Sequence, residues 1–173
     1  MSLLVRKIEY QKWMQRNIRE GESASADAIT GCMRTTGNKL SLWSIDDEAD
    51  LEEAVLAMAA SFHRLDTIDV LSIDPSLVEK KGLSLEASKG LTPYAAFREN
   101  HRDVVDLDYY SLGAMAEVVI ESIQMERKKR FTRSQLKAIV SRAVEVGKVT
   151  LSELNKSVQE DIIPNIPRME GAL

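Results

Sequence analysis

Residues 40–73 read LSLWSIDDEADLEEAVLAMAASFHRLDTIDVLSI, and this stretch decides the fold. Leu40–Ile45 is a strand by content. Asp46 or Asp47 can accept the free N–H groups at a helix start, and Glu48, Asp50, Glu52 and Glu53 suit the positive end of its dipole. Leu51, Ala54, Val55, Met58, Ala59 and Phe62 follow at offsets 0, 3, 4, 7, 8 and 11, one continuous apolar stripe. Ile68–Ile73 is a second strand, stopped by Asp74-Pro75. Strand, helix and strand over about 34 residues is the length of a βαβ unit with a right-handed crossover. The same string is equally compatible with an antiparallel neighbour beside the two strands.

On the N-terminal side, Leu3–Ile8 is aliphatic and β-branched enough for a strand. Tyr10, Trp13, Met14 and Ile18 share one face of a short helix, and residues 21–25 are a loop by composition. Ser25 or Asp27 can cap a helix carrying Ile29, Cys32 and Met33; Gly37-Asn38 is a turn signal.

On the C-terminal side, residues 76–91 are ambiguous between short strands and an ordered loop. Thr92-Pro93 predicts a helix through Phe97 to about His101, and residues 104–107 a short strand or a connection. From Asp108 the pattern is helical: Leu112, Met115, Ala116, Val119, Ile120 and Ile123 form a stripe that Arg127, Lys128, Lys129 and Arg130 would close as cations at the negative dipole end. Thr132-x-x-Gln135 and Thr150-x-x-Glu153 read as capping boxes for two further helices. Pro164 and Pro167 predict a frayed tail over 164–173. The expectation is an α+β fold: a small sheet of three or more strands covered by helices, with a C-terminal portion of about three helices. Residues 1–163 form one domain, sheet-containing over 1–91 and mainly helical over 92–163, because no Pro/Gly/Ser linker divides them.

The chain has 173 residues, 44% hydrophobic and 29% charged, with net charge −4. That apolar content excludes wholesale disorder, and the acidity argues against a surface that coats nucleic acid or anionic lipid throughout. A lone cysteine, Cys32, cannot form an internal disulfide, so a reducing compartment is the expectation. The run Leu3-Leu4-Val5 precedes Arg6 and Lys7, the wrong order for a signal peptide, and no apolar run is long enough to span a membrane. These readings predict an intracellular, cytoplasmic protein.

The sequence lacks a Walker A loop, G-x-G-x-x-G, G-x-S-x-G, H-E-x-x-H and an EF-hand loop. His63 or His101 could serve as a general base with Cys32 or a serine, but a structural histidine is the simpler reading. Asp69, Asp74, Glu79 and Lys81 supply the residue types by which metal-dependent nucleases hold Mg²⁺ and stabilise charge on phosphate, against a plain solvated loop. No catalytic residue, metal ligand or cofactor is therefore assigned.

Between Glu121 and Arg142 lie seven cations: Arg127, Lys128, Lys129, Arg130, Arg133, Lys137 and Arg142. Lys128, Lys129, Arg130, Arg133 and Lys137 could face phosphates. Ala143, Gly147, Val149 and Thr150 match offsets of a helix-turn-helix over 132–160, while Arg142 and Glu153 break its apolar pattern. A plain helical hairpin gives the same string. Tyr109 and Tyr110 at a helix start, and the acidic Asp46, Asp47 and Glu48, are candidate partner-binding residues, although a half-buried tyrosine pair and a solvated helix start are the simpler readings.

The first expectation is a small non-enzymatic interaction module docking on another protein or on itself. A bacterial accessory, immunity, antitoxin or defence-system component is one setting compatible with its size and acidity. A nucleic-acid-binding regulator ranks second and a metal-dependent hydrolase or nuclease third.

Overall fold

The computed structural model describes residues 2–18 and 23–163. The predicted tail 164–173 and part of the predicted loop 21–25 lie outside them. The fold is α+β, built on one six-stranded antiparallel sheet. Its strands are β1 (Leu3–Ile8), β2 (Leu40–Ile45), β3 (Ile68–Ile73), β4 (Ser84–Ala87), β5 (His101–Val105) and β6 (Lys128–Phe131). They lie in the order β4-β5-β2-β1-β3-β6. The helices are α1 (Tyr10–Trp13), α2 (Ala26–Cys32), α3 (Leu51–Ala59), α4 (Pro75–Lys80), α5 (Tyr109–Gln124), α6 (Arg133–Glu145) and α7 (Lys156–Ile162).

The decisive stretch is β2-α3-β3. Both strands pair antiparallel with β1, which lies between them (Val5↔Trp43 and Val5↔Ser72). The unit is thus the split form, with an antiparallel neighbour inserted between the two strands. Every residue of β3 is buried, which happens when both sheet faces are covered. Val70 points toward α3, α6 and α7, in a core that also holds Val5, Ile45 and Phe131. Leu71 and Ile73 point the other way, toward α1, α2, α4 and α5, with Leu4, Leu40 and Leu42. Period-two alternation feeds the two cores from one sheet.

Local chemistry explains the boundaries. Gly37 and Asn38 both have positive φ, and Thr36 and Lys39 exchange backbone hydrogen bonds across them, the signature of a type I′ turn. Asp108 and Ser111 form a reciprocal capping box on α5, and Thr132 and Gln135 another on α6. Residues 76–91 resolve into the end of α4, capped by Asp74, and the edge strand β4.

Four expectations are corrected. Lys128, Lys129 and Arg130 do not end a helix. Glu126, at φ 58°, terminates α5 in the left-handed region, and Lys128–Phe131 then pairs with β3. Two of the six strands, β5 and β6, lie beyond residue 92, so the sheet runs into the C-terminal half. The helix expected from Thr92-Pro93 is a 3₁₀ segment, Ala95–Asn100, and His101 opens β5. Thr150 makes no side-chain cap; Leu151–Glu153 is a 3₁₀ turn, Leu154 is extended, and α7 starts at Lys156. The Asn155 amide donates to the Phe62 carbonyl, and Leu154, Val158 and Ile162 are buried beside α3 and α6. Core packing therefore breaks the second helix of the helix-turn-helix expected over 132–160 into a 3₁₀ turn and the shorter α7.

Candidate functional site

The basic segment is partly paired from within, several of its cations sharing a carboxylate. On β6, alternate residues face opposite sides of the sheet, so Lys128 and Arg130 fall on one side and Lys129 on the other. Arg130 donates from Nε and Nη2 to the two carboxylate oxygens of Asp69, each at 3.0 Å, and Lys128 approaches the same carboxylate at 3.4 Å. Burial opposes ionisation of Asp69, but the Arg130 fork and Lys128 outweigh it and hold its carboxyl below the usual range. Lys128 also lies over the Tyr10 ring, and Lys129 over Phe131. Arg133 and Lys137 converge on Asp161, at 2.7 and 2.9 Å. Arg142 pairs with Glu52. Four of the five candidate phosphate contacts thus already hold carboxylates of this chain.

The residues considered for a metal site are dispersed. Asp69 serves the β6 cations, Asp74 caps α4 through Ser76, and Lys81 bridges Glu117 and Glu121 on α5. Among the described residues, no three His, Cys, Asp or Glu side chains gather in a metal-holding group. Cys32 is buried and its sulfur accepts the Glu9 N–H.

The two candidate partner surfaces stand at opposite ends of β2. Asp46, Asp47 and Glu48 follow its C-terminal end; all three are exposed, and Asp47 caps the next turn through the Ala49 N–H. Tyr109 and Tyr110 open α5 near the other end, where the Leu107 N–H bonds the Asn38 carbonyl. The six extended residues of β2 separate the two ends by roughly 20 Å. The tyrosines are 86% and 83% exposed and meet edge to face at 5.6 Å. Asp108 holds the helix start beneath them, its carboxyl kept low by hydrogen bonds from Ser111. One turn on, Gly113 is exposed; its φ is not positive, and a Cβ added there meets nothing within 4 Å. Neither backbone conformation nor packing among the described residues requires a glycine at this helical position. Tyr109, Gly113 and Glu117 are spaced by four, so they share the outward face of α5.

A polar network that the sequence did not reveal joins β2, β5 and Ser88, the residue after β4. Registers place Ser41 opposite Asp103 and Trp43 opposite His101, and the Ser88 N–H bonds the His101 carbonyl. On this face the Ser88 hydroxyl donates to Asp103 at 2.7 Å and lies 2.7 Å from His101 Nδ1. The Ser41 hydroxyl donates to the other Asp103 oxygen at 3.0 Å. Burial pulls the His101 imidazole down, against the attraction of Asp103. The serine has one proton and gives it to Asp103, so the imidazole Nδ1–H donates to the serine oxygen. That order puts serine in the middle and leaves the histidine without the base role it has toward a nucleophile in a catalytic triad. The network holds a rigid polar floor. The detectable signal was alternation: Ser41/Trp43, Glu86/Ser88 and His101/Asp103 each skip one residue, as one strand face does. His63 is exposed and lines a different cleft, with Lys7 and Phe62.

No protein-family model, curated protein or solved structure matches this chain. Among the described residues, no helix is long and apolar enough to cross a membrane.

Proposed function

We propose that this protein is a non-enzymatic interaction module that docks on another protein through the outward face at the start of α5. The observation that carries this reading is the exposed Tyr109–Tyr110 pair beside a glycine that no packing among the described residues requires. Tyrosines combine large apolar area with few rotors to immobilise, and they are enriched among residues that dominate binding energy. The capping box fixes the helix start, so little ordering is needed on docking. Gly113 leaves backbone open next to Tyr109, where a partner side chain can approach. The engagement of Lys128, Arg130, Arg133 and Lys137 with Asp69 and Asp161 leaves this reading ahead of nucleic-acid binding.

The test is native co-purification from the source cell, with nuclease-treated and untreated arms, of the wild type and the Tyr109→Ala/Tyr110→Ala variant. A stoichiometric protein that survives nuclease and leaves with the two tyrosines supports the proposal. Retention of that protein by the variant refutes this surface, and recovery of nucleic acid that dissociates at high salt supports the regulator reading instead.

A further inference from the structure

A cleft of about 430 Å³ opens over the Ser88–His101–Asp103 floor, within the size range of small-molecule sites. Arg6 lines it from β1, at the point where the β1–β2 pairing stops after Val5↔Trp43. Its terminal nitrogens donate to the carbonyls of Ser41 and Cys32, while Nε is buried and has no hydrogen-bond partner. No carboxylate pairs with it among the described residues, and burial draws its pKa down to about 10. A guanidinium in that setting is an uncompensated charge, which proteins ordinarily pair. Arg34, exposed on the same rim, has no partner among the described residues. Lys39 and Lys89 reach Glu86 and Glu99 only at 3.6 and 3.8 Å, solvated contacts that a stronger anion can displace. Asp103, which accepts from the Ser41 and Ser88 hydroxyls, keeps its negative charge on the floor, one carboxylate against Arg6, Arg34, Lys39 and Lys89 in the lining.

We propose that this cleft binds an organic phosphate monoester, with the phosphate held by Arg6, Arg34 and Lys39. A monoester is largely dianionic near neutral pH and offers three acceptor oxygens to forked guanidinium donors. Trp43 and Leu91, the latter 94% exposed at the mouth, give the ester's carbon portion an apolar wall that inorganic phosphate would not use. The site is independent of the α5 docking face.

The chain has two histidines, so imidazole NMR carries its own control. Phenyl phosphate, inorganic phosphate and phenol are titrated at constant pH and ionic strength to millimolar concentration. The expected result is a saturable shift of His101, not of His63, with phenyl phosphate binding tighter than inorganic phosphate and phenol inert. Arg34→Ala, an exposed position whose loss breaks no internal bond, is expected to weaken phenyl phosphate roughly tenfold. Absence of a His101 shift, equal shifts of both histidines, an equal response to phenol, or unchanged binding by Arg34→Ala overturns the phosphate site. Equal affinity for inorganic phosphate and phenyl phosphate overturns the ester assignment.

Discussion

Gly113→Ala separates what the fold needs from what a partner needs. Gly113 is the fifth residue of the 16-residue α5, flanked by regular helix. Its φ is not positive, and beyond the helix's own backbone the added methyl meets no described heavy atom within 4 Å. With no steric cost, the substitution contributes the full helix-propensity difference, about 1 kcal/mol. For a chain of this size that raises Tm by about 2–4 °C. Urea denaturation followed by far-UV circular dichroism should show the midpoint rise by about 0.3–1 M with an unchanged slope. The same methyl stands on the surface beside Tyr109, so the variant should be more stable and bind its partner less well. A neutral or destabilised variant would refute the claim that no packing among the described residues requires this glycine. A stabilised variant with undiminished binding would refute the role of this face.

Gly90 should behave in the opposite way: a Cβ there would stand 2.4 Å from Trp43 Cη2 and 3.0 Å from His101 Cβ, so Gly90→Ala should cost about 1–3 kcal/mol by urea denaturation and perturb the cleft. Asp69→Asn should lower stability at neutral pH, and the gap from wild type should close in acid. Asp69 is depressed in the folded state, so its contribution is present above the unfolded carboxyl value and lost as pH falls through the folded one; a gap constant with pH would contradict the Arg130 and Lys128 pairing. His101 is also depressed, so the unfolded chain binds its proton first and stability should fall as pH drops below about 6.5; His101→Gln should remove that component while His63→Gln leaves it, and an equal effect of both would contradict the buried network.

Much of the architecture was legible because burial on two faces writes itself into residue type. The β2-α3-β3 unit showed as two aliphatic strands flanking an apolar stripe at helical spacing, Thr132 marked a true helix start, and Ser25, one of two cap candidates, proved to be the cap of α2. β6 was hidden because KKRF is charged. Its outward alternation is satisfied by Asp69, 59 residues away from Lys128, and no local pattern announces such a pair. β4 was hidden because an edge strand needs little apolar surface; three of its four residues are exposed. The 150–162 segment misled because Thr150 and Glu153 have capping-box spacing, while Leu154 and Asn155 are held extended by contacts with the core and Phe62. For the site, the sequence favoured a half-buried Tyr109–Tyr110 pair over an exposed one, and the structure exposes both. The polar network on β5 did not follow, since His101 was assigned to a helix end and cross-strand register is a tertiary property.

The docking face is tested most directly by amide hydrogen exchange of the purified complex against the free chain. The first-turn amides of α5 have no intrahelical acceptor and the Ser111 N–H is held only by the exposed Asp108 side chain, so a partner that covers this turn slows their exchange. The account predicts new protection concentrated between residues 108 and 117, with Asp46, Asp47 and Glu48 unaffected. Protection centred on residues 127–142 instead, with the α5 start exchanging as in the free chain, would contradict it.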